Sequence, residues 1–305
     1  LLATIEGAEV IPTSRLGGQD PRLGAVERLD VNQEDAVERF IEQTAPTHVI
    51  HLAGWAAVVA AGANPYATWY THLYGTLNVA NAIMSKAPEC VLLYVGTGQV
   101  YGATAQSGEP LSEASLLAPS NTYTASKAAA DLALGALVQS GLRCVRLRPF
   151  NHTGRGQTEK FVVPSFAFQI ARIKLGIQPP ILHVGNLLAE RDFLDVRDVV
   201  AAYVQALRLS NSLPPGCILN IASGKAYSVQ SILDRLIEYS ETTVAIESAE
   251  SRVRSGEIQK FVGNPAKAIS LLGWSPQHSF DETLRSVFDW AMEITRQEYP
   301  GRNYA

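Results

Sequence analysis

Tyr123 and Lys127 stand four positions apart in Tyr123-Thr124-Ala125-Ser126-Lys127. On a helix that spacing puts a phenol and an ammonium on one face, a turn apart. A free phenol, with a pKa of about 10, is a poor acid–base catalyst at neutral pH, and a neighbouring cation favours its ionised form. The pair by itself is equally a solvated lysine beside a helix-start tyrosine. A third group strengthens the catalytic reading. The run Val91-Leu92-Leu93-Tyr94-Val95-Gly96-Thr97-Gly98-Gln99-Val100-Tyr101-Gly102 is a buried strand that ends in small and hydroxyl residues, which puts the Thr97 hydroxyl at the strand's carboxyl edge.

The elements that must position these groups follow from an alternating pattern. Apolar runs at 8–13, 26–31, 48–53, 91–96 and 142–148 are separated by helical stretches near 33–44, 66–86 and 121–140. Such alternation predicts an α/β fold with a doubly wound parallel sheet of the Rossmann type, whose ligands bind at the carboxyl ends of the strands. The second half predicts helices near 161–175, 196–210, 228–240 and 280–296 and strands near 181–184 and 217–221. It reads as a smaller substrate-binding α/β region. The expected division is 1–160 for a dinucleotide-binding domain and 161–305 for the substrate region, with about 196–221 returning to the first domain. The opening Leu1-Leu2-Ala3 reads as the end of a helix, so a first strand and a glycine-rich turn are expected upstream of residue 1.

Composition narrows the function classes. The 305 residues are 47% hydrophobic and 18% charged with a net charge of −4, and their Lys and Arg are scattered. That offers no footprint for nucleic acid or an anionic membrane. No apolar run approaches the roughly 18 residues of a spanning helix. Cys90, Cys144 and Cys217 are far apart and odd in number, which argues against a disulfide framework and for the cytoplasm. His48, His51, His152, His183 and His278 have no ligand partner at i+4, so no metal site is expected.

With the strand ends His51-Leu52-Ala53-Gly54 and Arg148-Pro149-Phe150-Asn151-His152 added to Thr97, Tyr123 and Lys127, the sequence resembles the extended short-chain dehydrogenases that act on nucleotide sugars. The further runs Thr153-Gly154-Arg155-Gly156-Gln157, Phe161-Val162, Val184-Gly185-Asn186-Leu187, Arg191-Asp192-Phe193-Leu194-Asp195, Arg254 to Glu257 and Leu272-Gly273-Trp274-Ser275-Pro276 resemble the family of GDP-mannose 4,6-dehydratase and its sister reductase. The resemblance covers nearly the whole chain. It implies that Thr97 orients a carbonyl oxygen, that Tyr123 protonates it, and that Lys127 lowers the phenol's pKa and holds the nicotinamide ribose. It implies cofactor contacts at Ser14, Arg15, Asp30, Val31, Leu52, Ala53, Gly54, Tyr123, Lys127 and Phe150. Substrate contacts are implied at Gln99, Asn151, Phe161, Val162, Val184, Asn186, Arg191, Arg254 and Glu257, the arginines gripping the GDP part. Ser14-Arg15 stands where an acidic residue would indicate NAD, and Arg suits a 2′-phosphate, so NADP(H) is expected.

One position separates the two chemistries. Eliminating water from the sugar needs a general base and acid, a role for a carboxylate, and in the dehydratases that this chain resembles it is a Glu two residues after the threonine. This chain has Gln99, and an amide cannot exchange the proton. The expectation is therefore a reductase that passes hydride from NADPH to C4 of GDP-4-keto-6-deoxy-D-mannose, giving GDP-D-rhamnose. A dehydratase, an epimerase on another nucleotide sugar and a non-catalytic NADP(H) sensor are the alternatives. The chain departs from the family at His72, where an Asn is usual. The resemblance also implies a homodimer built on the Tyr123 helix and the one near 66–86.

Overall fold

The computed structural model describes residues 5, 7–55, 58–248 and 258–300. Its first half runs β1 (Thr13–Ser14), β2 (Gly18–Asp20), β3 (Gly24–Arg28), α1 (Glu34–Thr44), β4 (His48–His51), α2 (Val58–Ala63), α3 (Pro65–Trp69), α4 (Gly75–Lys86), β5 (Val91–Val95), α5 (Thr122–Gln139) and β6 (Cys144–Pro149). A π-helical turn, Tyr70–Tyr74, joins α3 to α4, and a tight 3-10 stretch, Gly98–Ser107, follows β5. The second half runs β7 (Asn151–Thr153), α6 (Val162–Lys174), β8 (Ile181–Val184), β9 (Glu190–Asp195), α7 (Val196–Arg208), β10 (Ile218–Ile221), β11 (Ala226–Ser228), α8 (Val229–Ser240), β12 (Ala245–Ser248), β13 (Lys260–Phe261), α9 (Ala266–Leu272) and α10 (Phe280–Glu298).

The main sheet is parallel throughout, in the order β10-β6-β5-β4. Its centre shows why a continuous apolar run folds as a strand here: side chains alternate, and both faces are covered. Leu92 and Tyr94 pack with Val37, Ile41, Val79, Ile83 and Leu134 from α1, α4 and α5. Val91 and Leu93 pack on the opposite face with Val199, Ala202, Tyr203, Leu272 and Trp274 from α7, α9 and the turn after it. Helices on both faces make the sheet doubly wound. β10 and α7, from the second half of the chain, complete this layer. A second core gathers α6, α8 and α10 through Phe166, Ile170, Ile232, Leu236, Leu284 and Phe288. Ser279 opens α10 with a capping box to Glu282, the reciprocal bonding that satisfies the first free amides of a helix.

The start of the chain differs from the expected pattern. Of the 8–13 run only Thr13 is in a strand, the two-residue β1, which pairs parallel with β3, and β2 pairs antiparallel on the other side of β3. These three strands form a separate small sheet, and β4 is the edge of the main one among the described residues. Both faces of β1 and most of β3 are exposed, so no buried face extends strand pairing back through residues 8–12. No helix among the described residues is long and apolar enough to cross a membrane.

Candidate active site

The site begins at the carboxyl end of β5. There Thr97 is extended and caps the 3-10 stretch, its hydroxyl accepting from the Gln99 N–H at 3.2 Å. α5 begins opposite, started by Asn121, which accepts from the Thr124 N–H at 3.0 Å while the Thr124 hydroxyl accepts from the Asn121 N–H at 3.2 Å. That capping box fixes the first turn and so the direction of Tyr123. The Tyr123 phenol faces the Thr97 side chain. Its side chain is 8% exposed, enough to meet a ligand at the rim.

The electrostatics differ from the sequence expectation. Lys127 does lie on the same face of α5, but its ammonium donates to the Val95 carbonyl at 3.2 Å and sits 5.4 Å from the centre of the Tyr94 ring. Burial pushes the Tyr123 phenol above its ordinary range, and the Thr97 hydroxyl beside it only partly opposes this. The ammonium does not depress the phenol in this geometry. Burial instead lowers Lys127 itself to about 8. At neutral pH the corner therefore holds a protonated phenol, a proton donor, beside a buried cation.

One support the sequence reading passed over lies a turn beyond Lys127. Asp131, buried on α5, bonds Arg148 twice at 2.9 Å and Arg146 at 3.0 Å. Arg148 continues to the Tyr101 hydroxyl at 2.9 Å, and that hydroxyl donates to Asn220 at 2.7 Å. The signal was present: two arginines at i and i+2 in a strand otherwise built of buried residues require a buried counter-ion. Past Tyr101 the backbone turns at Gly102 with φ 48°, and a Cβ there would lie 1.9 Å from the Ala118 carbonyl oxygen, so only glycine fits.

On the cofactor side, the loop after β4 passes close to Lys127. Gly54, at φ 150°, is exposed, and a Cβ on it would lie 2.9 Å from the His72 ring and 3.6 Å from the Lys127 ammonium. The loop thus presents bare backbone next to a buried cation, and these residues fit a dinucleotide laid across the strand ends. Leu52 is exposed beside it and Ala53 half-buried. Asp30 caps its own turn, accepting from the Asn32 N–H at 3.0 Å, and Val31 packs against Gly75. Ser14 accepts from the Gly17 N–H at 3.0 Å. Arg15 is exposed and has no ion pair among the described residues. The Phe150 ring is core, packed on Gly98, Gly263 and Ala222 between Tyr101 and Phe261, so a cofactor there would meet backbone and not the ring.

The substrate residues are more dispersed. Gln99 is half-buried at the start of the 3-10 stretch, two residues from Thr97. Asn151 opens β7 opposite Phe193 of β9, and Phe161 and Val162 begin α6. Val184 and Asn186 line an open cleft of about 390 Å³ together with Gly185, Leu187, Ile246 and Ser248. Arg191 on β9 donates to the carbonyls of Glu190 at 2.9 Å and Ile258 at 2.8 Å, bracing the backbone that leads into β13. Arg254 and Glu257 lie outside the described residues. Asp192, buried, ties the loops together by accepting from the backbone of Ser223, Gly224 and Gly263 and from the Ser223 hydroxyl.

Residues 17–287 match the family described as GDP-mannose 4,6 dehydratase. The chain is 35% identical over 254 residues to GDP-6-deoxy-D-mannose reductase of Pseudomonas aeruginosa, covering 83% of each chain. It is 29% identical to GDP-6-deoxy-D-talose 4-dehydrogenase of Aggregatibacter actinomycetemcomitans, over 81% of this chain and 80% of that one. Among solved structures, RMD from Pseudomonas aeruginosa complexed with NADPH is similar with a TM-score of 0.81 and 33% identity, covering 88% of each chain. A Thermus thermophilus UDP-glucose 4-epimerase in complex with NAD gives 0.77 at 27% identity, covering 89% of this chain and 86% of that one. A parallel doubly wound sheet with a phenol facing a threonine and a buried lysine at its carboxyl edge agrees with a match running almost end to end: this chain belongs to the GDP-mannose 4,6-dehydratase family of extended short-chain dehydrogenases.

Proposed function

We propose that the protein is an NADP(H)-dependent reductase of a GDP-linked 4-keto-6-deoxy sugar, converting GDP-4-keto-6-deoxy-D-mannose to GDP-D-rhamnose. The observation that carries this reading is the Tyr123 phenol, held protonated by burial beside Thr97, with Gln99 where the related dehydratases carry a carboxylate. NADPH bound along the Gly54 loop would supply the hydride for C4. Thr97 and Tyr123 hold the carbonyl oxygen between two hydroxyls, and Tyr123 gives its proton to that oxygen as negative charge develops. Lys127, beside the Gly54 backbone, binds the ribose and places its charge behind the phenol. The exposed guanidinium of Arg15 at the end of β1 supports the choice of NADP(H) over NAD(H).

Two acidic residues follow in the loop after Gly102, and neither is drawn into the Thr97–Tyr123 corner by a hydrogen bond among the described residues. Glu113 in the loop after Gly102 accepts from the Asn220 N–H at 2.7 Å and is held on β10, and Glu109 is exposed. The reading assigns the GDP contacts to Val184, Asn186, Arg191, Arg254 and Glu257, and a homodimer is part of it. Tyr66, Tyr70 and Tyr74, at helical spacing and 91%, 51% and 53% exposed, form an aromatic stripe beside α5 and its exposed Leu132, suited to a second copy. Three buried free thiols, Cys90, Cys144 and Cys217, support a reducing cytoplasm. The test is a pair of assays on the full-length protein. NADPH oxidation with GDP-4-keto-6-deoxy-D-mannose, yielding a GDP-6-deoxyhexose, is expected, and GDP-mannose should be inert. Conversion of GDP-mannose to the 4-keto sugar at an enzymatic rate would overturn the assignment.

A further inference from the structure

The π-helical turn between α3 and α4 carries a buried imidazole that links the two sides of the site. His72 is 1% exposed. Its Nε2 lies 2.9 Å from the Trp55 N–H, which can only donate, so Nε2 carries the lone pair and the proton sits on Nδ1. Nδ1 then donates to the Ser126 hydroxyl at 2.8 Å, and that hydroxyl donates to the Tyr123 carbonyl at 3.0 Å. The chain of bonds starts in the loop after β4 and ends in the first turn of α5. The ring also meets Tyr123 edge-on, with centroids 5.6 Å apart, and fills the space where a Cβ on Gly54 would go.

From this geometry we infer that His72 is a positioning residue for the cofactor. As a hydrogen-bond acceptor it holds the Gly54–Trp55 backbone against Lys127, and so sets the surface on which a dinucleotide lies. The inference rests on the reductase reading above. The bonding requires a neutral ring, and burial with the Lys127 charge lowers His72 to about 4, so the acceptor is available across the physiological range. A second buried histidine steadies the turn from behind. His51 Nε2 donates to the Thr76 hydroxyl at 3.0 Å, and that hydroxyl donates to the His72 carbonyl at 2.6 Å.

Two substitutions separate the two ends of the imidazole. In His72→Gln the amide oxygen reaches the place of Nε2 and can still accept from Trp55. In His72→Asn the shorter amide reaches only the place of Nδ1, keeping Ser126 and leaving the Trp55 N–H without an acceptor. The measurement is the NADPH dissociation constant of the full-length protein by fluorescence titration, followed by KM for NADPH and kcat. The expected result is an affinity within about twofold of wild type for His72→Gln and about tenfold weaker for His72→Asn. KM should follow the same order, with kcat at saturating NADPH changed much less. Equal affinities in all three proteins, equal losses in both variants, or a fall in kcat without a change in affinity would overturn the inference. Where His72→Asn does not fold, Ser126→Ala replaces it: freeing the ring's tautomer should weaken NADPH a few-fold, and an unchanged affinity overturns the inference. A wild type that binds no NADPH overturns the functional reading itself and is thereby distinguished from failure of the positioning role.

Discussion

The two ends of the site are built differently. At the catalytic corner each reacting side chain is held by backbone or packed on a buried neighbour: Thr97 by the Gln99 N–H, Tyr123 against the His72 ring, Lys127 by the Val95 carbonyl. Behind them Asp131 and Arg148 lock α5 to β6 with both partners almost wholly buried. The outer cleft is a shallow rim between β8 and β12. All of β12 is exposed, and Leu188 beside the cleft is 78% exposed. Proton transfer tolerates little misplacement, so its groups are held before substrate arrives, whereas a nucleotide can be gripped by several modest contacts. Substitutions at the corner should therefore damage rate or stability strongly, and those at the rim should raise Michaelis constants gently.

Tyr123→Phe is the severest test. It removes the proton donor and leaves the ring, so turnover on the 4-keto sugar should fall by about 10²–10⁴ while NADPH binding is retained; a loss below tenfold would remove Tyr123 from the chemistry. Asp131→Ala comes next, because it strands two guanidinium groups. Urea unfolding should show a destabilisation of about 3–5 kcal/mol, and a change within experimental scatter would mean that α5 is held by packing alone. Arg15→Ala should weaken NADPH roughly ten- to hundred-fold and NADH hardly at all, whereas equal losses for both would end its role in cofactor choice.

The pH profile distinguishes titration of the corner from unfolding. Lys127, lowered to about 8 by burial, loses its charge as pH rises through that value, so kcat/KM for NADPH should be level below pH 8 and fall above it. Its folded pKa lies below the ordinary lysine value, so between the two the unfolded chain binds more protons and stability rises with pH. Activity should therefore decline where the fold does not. A parallel loss of thermal stability would contradict this account. At the rim, Asn186→Ala should raise the substrate Michaelis constant only a few-fold with kcat unchanged, the scale of one neutral hydrogen bond; a fall in kcat instead would mean that the rim, too, is preorganised for chemistry.

Periodicity and spacing were enough for the elements of the doubly wound sheet and for the positions of Thr97, Tyr123 and Lys127. Alternating buried residues specify a two-sided strand, and an i, i+4 pair specifies one helix face wherever the helix lies. Hydroxyl, phenol and ammonium in that order are local facts of the chain. Three features were not local. Burial, and not the neighbouring ammonium, governs the Tyr123 phenol, and the lysine on α5 donates instead to the Val95 carbonyl at the end of β5. Asp131 meets arginines 15 and 17 positions away, and His72 meets Trp55 and Ser126 across 17 and 54 positions. Sequence spacing carries no distance between segments that far apart. Composition and pattern thus determined which groups the protein can bring to a reaction. Only the folded packing, by excluding water and choosing each donor's acceptor, decided which proton is held, which charge is weakened and which loop stays in place.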